Sequence, residues 1–304
     1  MVRIITDSSS LYTVEEGRDT GIDSVPLSVS IGDCHGRDLQ MDMPQFYKRI
    51  DEGQIPTSSQ PPIGEVLDTY EKYRGEPIIN ISMADGLSGT YESACSARAM
   101  AKNKEDITVF NSRTLCGPHR YMVDQAHRMA GEGREKHEIL KWLEKAARNT
   151  ESFLIPQDFS FLKRGGRLTP VAAAIGSLLK LKPVVKLTED GRKLDKFGVK
   201  RTMTAAVDSI IGHLKKKELG KNHLMFLSHA GAPEDAAAVK RRMAEIFPEL
   251  EILILELGPA FVTQGGPRCL AIQYINRYKE AAAARFGRLC FCPGTGIWMG
   301  IYGK

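Results

Sequence analysis

Side chains suited to holding an anion concentrate in two short stretches that read as turns, each just ahead of a helix. PTSSQPP (56–62) carries Ser58 and Ser59, and SMADGLSGTYESA (82–94) carries Ser88 and Thr90 on either side of Gly89. Each stretch runs into a helical pattern. After Pro61 and Pro62, the residues Ile63, Val66, Leu67 and Tyr70 fall at i, i+3, i+4 and i+7, and Ala94, Ala97 and Ala101 share one side of the segment after Thr90. Hydroxyls beside the free N–H groups of a helix start can bind a carboxylate or a phosphate. The same residue types also cap helices with no ligand involved, and both readings stay open at this point.

Other chemistries find less support. Gly86-Leu87-Ser88-Gly89-Thr90 is not the G-x-S-x-G turn of a nucleophilic serine, because its last glycine comes one position early. No G-x-x-x-x-G-K-[ST] loop is present to cradle nucleotide phosphates. His229 ends an apolar run and is the histidine best placed for chemistry, whereas His119, His127, His137 and His213 read as helix-surface residues with structural roles. Six cysteines are scattered at 34, 95, 116, 269, 290 and 292 without CxxC pairs, so they read as reduced thiols. Cys290 and Cys292 make a C-x-C pair, but no second pair or nearby histidine completes a metal site.

The elements that must position these residues alternate in kind. RIIT (3–6), SVPLSVSI, PIINIS (77–82) and ITVF (107–110) read as strands, with helices between them and two more near 117–131 and 136–148. That order predicts an α/β unit over 1–150 with a mainly parallel sheet flanked by helices. The pattern changes near residue 150. PVAAAIGSLLKL reads as an apolar helix, and PVVKLTEDGRKLDKFGV as a hairpin turning at Asp190-Gly191. HLMFLSH, EILILEL and CLAIQYI read as strands, with helices over Ala205 to Lys216 and Pro233 to Phe247, which predicts a second α/β unit over 151–280 with a mixed sheet. The tail 281–304 differs in composition, and reads as either a docked extension or a poorly packed end.

Composition bounds the class. With 304 residues, 42% hydrophobic and 26% charged, the chain is long enough for two ordinary globular domains. No stretch approaches the ~18 apolar residues of a membrane span, and the start lacks a signal-peptide core, so the expected compartment is the cytoplasm. The net charge of +5 is modest, but basic residues crowd the segment from Lys163 to Arg201. Such a run is either a solvated face or a docking surface for an acidic or phosphate-bearing partner. It lacks the interleaved aromatics and motifs of a nucleic-acid binder.

Taken together, TDSSS, PTSSQPP, GLSGTYESA, FLKRGGRLT, LLKLKPVVKLTEDG and GPAFVTQGGP, in this order and spanning the chain to about Tyr278, resemble the DegV family. These are bacterial two-domain proteins that bind one long-chain fatty acid, and some of them present it to a fatty acid kinase. The resemblance implies a non-catalytic lipid-binding protein with no cofactor other than the bound fatty acid. Its acyl tail would lie in an apolar interdomain tunnel, and its carboxylate would be held by Ser58, Ser59, Ser88, Gly89 and Thr90. Arg167, in KRGGR, matches an arginine implicated in presenting the head group. Ser58 stands where the family usually has a threonine and keeps the hydroxyl, and three further positions depart from the family's usual residues: Asp85 stands for a serine, Gln264, next to Gly265, for a histidine, and Arg268 for a glycine. An ionised Asp85 would repel a carboxylate, whereas Gln264 can donate through its amide and Arg268 can supply charge. The alternative is an enzyme acting on a small anionic substrate in a polar cleft, with Asp85, Ser88 and His229 as its polar residues.

Overall fold

The computed structural model describes residues 1–175 and 181–278, with two short paired strands, Cys290–Phe291 and Trp298–Met299, beyond them. The elements of the first half are β1 (Arg3–Asp7), α1 (Val14–Thr20), β2 (Asp23–Val25), β3 (Ser28–Ile31), β4 (Cys34–Arg37), α2 (Met43–Asp51), β5 (Thr57–Ser59), α3 (Ile63–Glu71), β6 (Ile78–Ser82), α4 (Thr90–Met100), β7 (Ile107–Asn111), α5 (Cys116–Gly131) and α6 (Lys136–Ala147). The second half holds β8 (Thr150–Ile155), α7 (Phe159–Gly165), α8 (Pro170–Ala173), β9 (Lys182–Leu187), β10 (Leu194–Lys200), α9 (Met203–Leu214), β11 (His223–His229), α10 (Pro233–Ile246), β12 (Glu251–Glu256), α11 (Pro259–Gly265) and β13 (Leu270–Asn276).

β2, β1, β6 and β7 form a parallel sheet in that order. Buried on both faces, it alternates its core partners with period two: Ile5 and Ile78 pack with α3 and α4, Ile4, Ile79 and Ile81 with α5. The second sheet runs β10-β9-β8-β13-β11-β12 and is mixed, because β11 and β12 are parallel and the other pairs antiparallel. One face, with Phe153, Val184, Met225 and Ile272, packs on α9 and α10. From the other, Leu224, Phe226 and Ile275 meet the same α5 residues that the parallel sheet covers. Helix α5 is thus a shared layer between two sheets, and the close approach demands a glycine: a Cβ at Gly117 would fall 2.1 Å from the Phe226 ring.

The α/β class with a parallel and a mixed sheet matches the expectation from sequence, and three local expectations need correction. The segment SVPLSVSI divides at Pro26: β2 joins the parallel sheet, and β3 starts a separate three-stranded antiparallel sheet, β4-β3-β5. Thr57–Ser59, expected as a turn, is the strand β5 of that sheet, paired to β3 with Ser58 opposite Val29. His119, expected on a helix surface, is fully buried, because α5 has a sheet on each side. Of the apolar helix expected over 170–181, α8 accounts for Pro170–Ala173, and 176–180 lie outside the described residues. Of the 281–304 tail only the backbone pairing of Cys290–Phe291 with Trp298–Met299 is described, so the readings of how the tail packs and of its C-x-C pair fall outside the described residues.

Candidate ligand-binding site

The three-stranded sheet leaves the first half and packs on α11 of the second. Leu27, Val29, Ile31 and Phe46 cluster with Leu257, Ala260 and Val262. Where this contact meets the face of the mixed sheet, a cavity opens with about 1060 Å³ of space between its walls, its mouth included. Most of the wall is apolar: Leu27, Met83, Leu87, Leu115, Leu154, Leu162, Leu194, Leu257 and Phe261 all line it. Polar residues enter at Ser9, Ser58, Ser59, Gln60, Ser88, Arg167, Gln264, Ser152 and Gln273.

The N-cap residues of the two helices carry no capping side chain. Pro62 is the N-cap of α3 and Gly89 that of α4, and neither makes a side-chain capping bond. Ser58 Oγ lies 3.1 Å from Thr263 Oγ1 of α11, which ties the β5 strand to the second half. Ser88 Oγ is 2.8 Å from Thr90 Oγ1 and accepts from the Thr90 N–H at 3.3 Å. Arg167 Nε donates to the carbonyl of Leu87 at 2.9 Å, so the arginine braces the same turn from across the seam, and its Nη1 donates to the carbonyl of Gly165. Gln264 Nε2 donates to Thr263 Oγ1 at 3.3 Å, while its Oε1 is buried without a partner among the described residues. A Cβ at Gly165 would stand 2.2 Å from that oxygen.

The seam is held by a second set of contacts. Asp38, buried, accepts from the Ala260 N–H at 2.9 Å and from Ser8 Oγ at 2.7 Å, joining the β4–α2 loop to α11. Burial pushes its carboxyl up to about 6, against the opposing pull of those hydrogen bonds. The β9–β10 hairpin presses on the turn before α4: a Cβ at Gly86 would lie 2.3 Å from Arg192 Cα. Two thiols, Cys116 and Cys269, also line the cavity; burial raises both, Cys269 to about 12, so both stay protonated.

Of the residues singled out from sequence, Ser58, Ser59, Ser88, Gly89, Arg167, Gln264 and Gly265 meet around this cavity. Three do not line it. Asp85 turns to Arg192, 3.2 Å away, rather than into the wall. Thr90 is buried behind Ser88. Arg268 faces outward and pairs with Asp235 at 2.7 Å. His229 is also absent from the wall: it is buried, its Nδ1 accepts from the Ala232 N–H at 3.3 Å, and burial lowers its pKa. The arrangement of Asp85, Ser88 and His229 around one polar cleft is therefore not formed.

Ser9, in the TDSSS stretch, is a further wall residue, one that the motif alone does not assign to the site. Its Oγ lies 3.0 Å from His119 Nδ1, and His119 Nε2 donates to the carbonyl of Ile81 at 2.9 Å. That bond fixes the tautomer, leaving Nδ1 to accept from the serine. The nearest carboxylate, Asp7, spends its oxygens on the N–H groups of Ser9 and Met83, and burial lowers the His119 pKa. Burial thus outweighs the pull of the Asp7 carboxylate on the imidazole, and the neutral ring accepts from the Ser9 hydroxyl and holds it in place.

An apolar cavity at the junction of a parallel and a mixed sheet, with polar groups at the carboxyl ends of strands, defines a two-domain α/β ligand-binding protein. Residues 1–277 match the family model described as "Uncharacterised protein, DegV family". The chain belongs to the DegV family. It is 29% identical to protein DegV of Bacillus subtilis (strain 168) over 278 residues, 89% of this chain and 98% of that protein. It is 30% identical to a DegV domain-containing protein of Staphylococcus aureus (strain N315) over 290 residues, 91% of this chain and 98% of that protein. Among solved structures it superposes on a DegV family protein from Thermus thermophilus, described by its fatty acid binding, with a TM-score of 0.82 at 25% identity, covering 91% of this chain and 99% of that one. The structure of Bacillus subtilis DegV, described as a fatty acid binding protein, gives a TM-score of 0.78 at 28% identity, with coverage of 91% and 99%.

Proposed function

We propose that this chain binds one long-chain fatty acid in the cavity between its two halves, with 1–150 and 151–280 as the units that close on it, and that it has no catalytic role of its own. The observation that carries this reading is the wall itself: a predominantly apolar cavity with hydroxyls of β5 and of the turn before α4 on one side. An alkyl tail gains about 0.8 kcal/mol for each buried CH₂, so the tail supplies most of the affinity. The polar groups set the orientation. Ser58, Ser59 and Ser88 donate to the carboxylate, Gly89 lets it approach the start of α4, and Gln264 and Arg167 stand opposite, across the seam. The descriptions of the Bacillus subtilis and Thermus thermophilus proteins as fatty acid binding support the assignment. Arg167 and the exposed Arg192–Lys193 pair flank this turn, and they suit a docking surface for a fatty acid kinase that phosphorylates the presented carboxylate. A cytoplasmic setting fits the four described cysteines, all free.

Native mass spectrometry of protein purified under mild conditions tests the binding reading. One fatty acid per chain is expected. Empty protein that takes up no added fatty acid would sink it. The kinase step is checked by acyl phosphate formation when loaded protein, ATP and the kinase are mixed, with Arg167→Ala and Arg192→Ala slowing the reaction.

A further inference from the structure

The sheet wall of the cavity changes character along its length. In the antiparallel pair β8–β13, Leu154 is opposite Ala271 and Ser152 is opposite Gln273. All four line the cavity, since side chains two apart on a strand share a face. Leu154 stands at the end of α11, because a Cβ at Gly265 would come within 3.8 Å of its Cδ2. Two residues further along β13, roughly 7 Å by strand rise, the apolar pair gives way to a polar one.

Gln273 is 2% exposed and Ser152 is 6% exposed. Gln273 Nε2 donates to the carbonyl of Leu115 at 3.0 Å and to Ser152 Oγ at 2.9 Å. Those bonds fix the amide: turned over, Oε1 would face the Leu115 carbonyl, acceptor against acceptor. The free end is therefore Oε1, which is buried with no partner among the described residues. Ser152 Oγ already accepts from Gln273, and its own O–H has no acceptor among the described residues. A buried acceptor without a donor is unfavourable, and an apolar side chain would line a plain alkyl tail without that penalty. One acceptor and one donor side by side match a single hydroxyl.

Resting on the fatty-acid reading above, we propose that the preferred ligand is a long-chain fatty acid bearing a hydroxyl along its chain. That hydroxyl donates to Gln273 Oε1 and accepts from the Ser152 O–H. The carboxylate is held at the α11 end of the cavity, so the distance between the two polar sites selects the position of the hydroxyl on the chain.

Stearic acid and a series of positional monohydroxystearic acids, titrated into lipid-stripped full-length protein, test this. At least one isomer binds about tenfold tighter than stearic acid, a difference of about 1.4 kcal/mol, because a site built to pair a hydroxyl discriminates against the analogue lacking it. Ser152→Ala, which keeps the Gln273–Leu115 bond, and Gln273→Met each bring that ratio toward one. Stearic acid binding as tightly as every isomer overturns the proposal, with an ordered water then taking the two bonds. A preference that survives in both variants overturns it as well. If none of the acids binds, the fatty-acid reading itself fails and this inference falls with it.

Discussion

The two halves of the molecule reach the cavity by different means. The parallel sheet brings strand ends: β1 and β6 run side by side, so Ser9 and the Met83–Gly89 segment emerge at one edge, where Asp7 ties them together through the Ser9 and Met83 N–H groups. The mixed sheet brings a face, with side chains at every second residue of β8 and β13. Strand-end loops can change their polar groups without disturbing a core. The sheet face has its apolar core directly behind it, where Phe153 and Ile272 pack between the cavity-facing pairs. On the proposed reading, head-group chemistry at the strand ends and tail accommodation on the sheet face would be separable by mutation, except at the seam where the halves touch.

Substitution at the seam breaks this separation most strongly. Gly86→Val would drive a side chain into the backbone of Arg192, which cannot swing aside as a flexible side chain would. Overpacking of this kind typically costs about 1–3 kcal/mol, and the upper end or beyond is expected here. A fall in thermal midpoint accompanied by loss of fatty acid binding is the expected result; an unchanged midpoint would show that the hairpin does not press on this turn.

Asp38 tests the seam through pH. Its folded-state carboxyl is raised from 3.8 to about 6, chiefly by burial. Between those values the folded protein holds a proton that the unfolded chain has lost, so Asp38 makes stability fall as pH rises through that window. Near 1.4 kcal/mol per unit, the difference is about 3 kcal/mol. Asp38→Asn should flatten the wild-type slope between pH 4 and pH 7 in denaturant titrations, whatever it does to the absolute stability. Parallel slopes in the two proteins would contradict the assignment.

Ser58→Ala removes a hydroxyl of β5 that also meets Thr263 Oγ1 across the seam. Removing a hydrogen bond to a charged group is worth about 1.5–3 kcal/mol, read as weaker fatty acid binding, and the lost contact to Thr263 lowers the thermal midpoint by a smaller amount. Full wild-type affinity would remove Ser58 from the head-group site.

Much of this was legible from sequence because periodicity is local. α5 was expected at 117–131 and found at Cys116–Gly131, and the Asp-Gly hairpin formed as β9 and β10. The misreadings share a cause: they depend on partners far away in the chain. Thr57–Ser59 is a strand only because β3 lies alongside it, and three residues carry no alternation to betray that. His119 looked exposed because no helical pattern reveals that a second sheet, some hundred residues later, covers the outer side of α5. Ser152 and Gln273 sit on strands that read simply as apolar runs, and only their register places two polar side chains opposite one another. Motif matching pointed to residues on the strand-end side of the cavity, and it was silent on the sheet wall.

The smallest effect is expected at Asp85, where the sequence suggested the largest departure from the family. A carboxylate in the head-group site would repel a fatty acid, and Asp85→Ser would then tighten binding by removing that charge. The structure instead gives Asp85 a cation: Arg192 Nη2 lies 3.2 Å from its Oδ2, and the residue does not line the cavity. The arginine side chain is 61% exposed, so the pair is largely solvent-screened and worth at most about 1 kcal/mol to stability. Asp85→Ser should therefore lower the thermal midpoint slightly and leave fatty acid affinity within about twofold at neutral pH, since a screened charge outside the wall acts only at a distance. Affinity that instead rises tenfold would mean that Asp85 turns from Arg192 toward the ligand when the cavity is filled, and that the strand-end side of the site rearranges on binding.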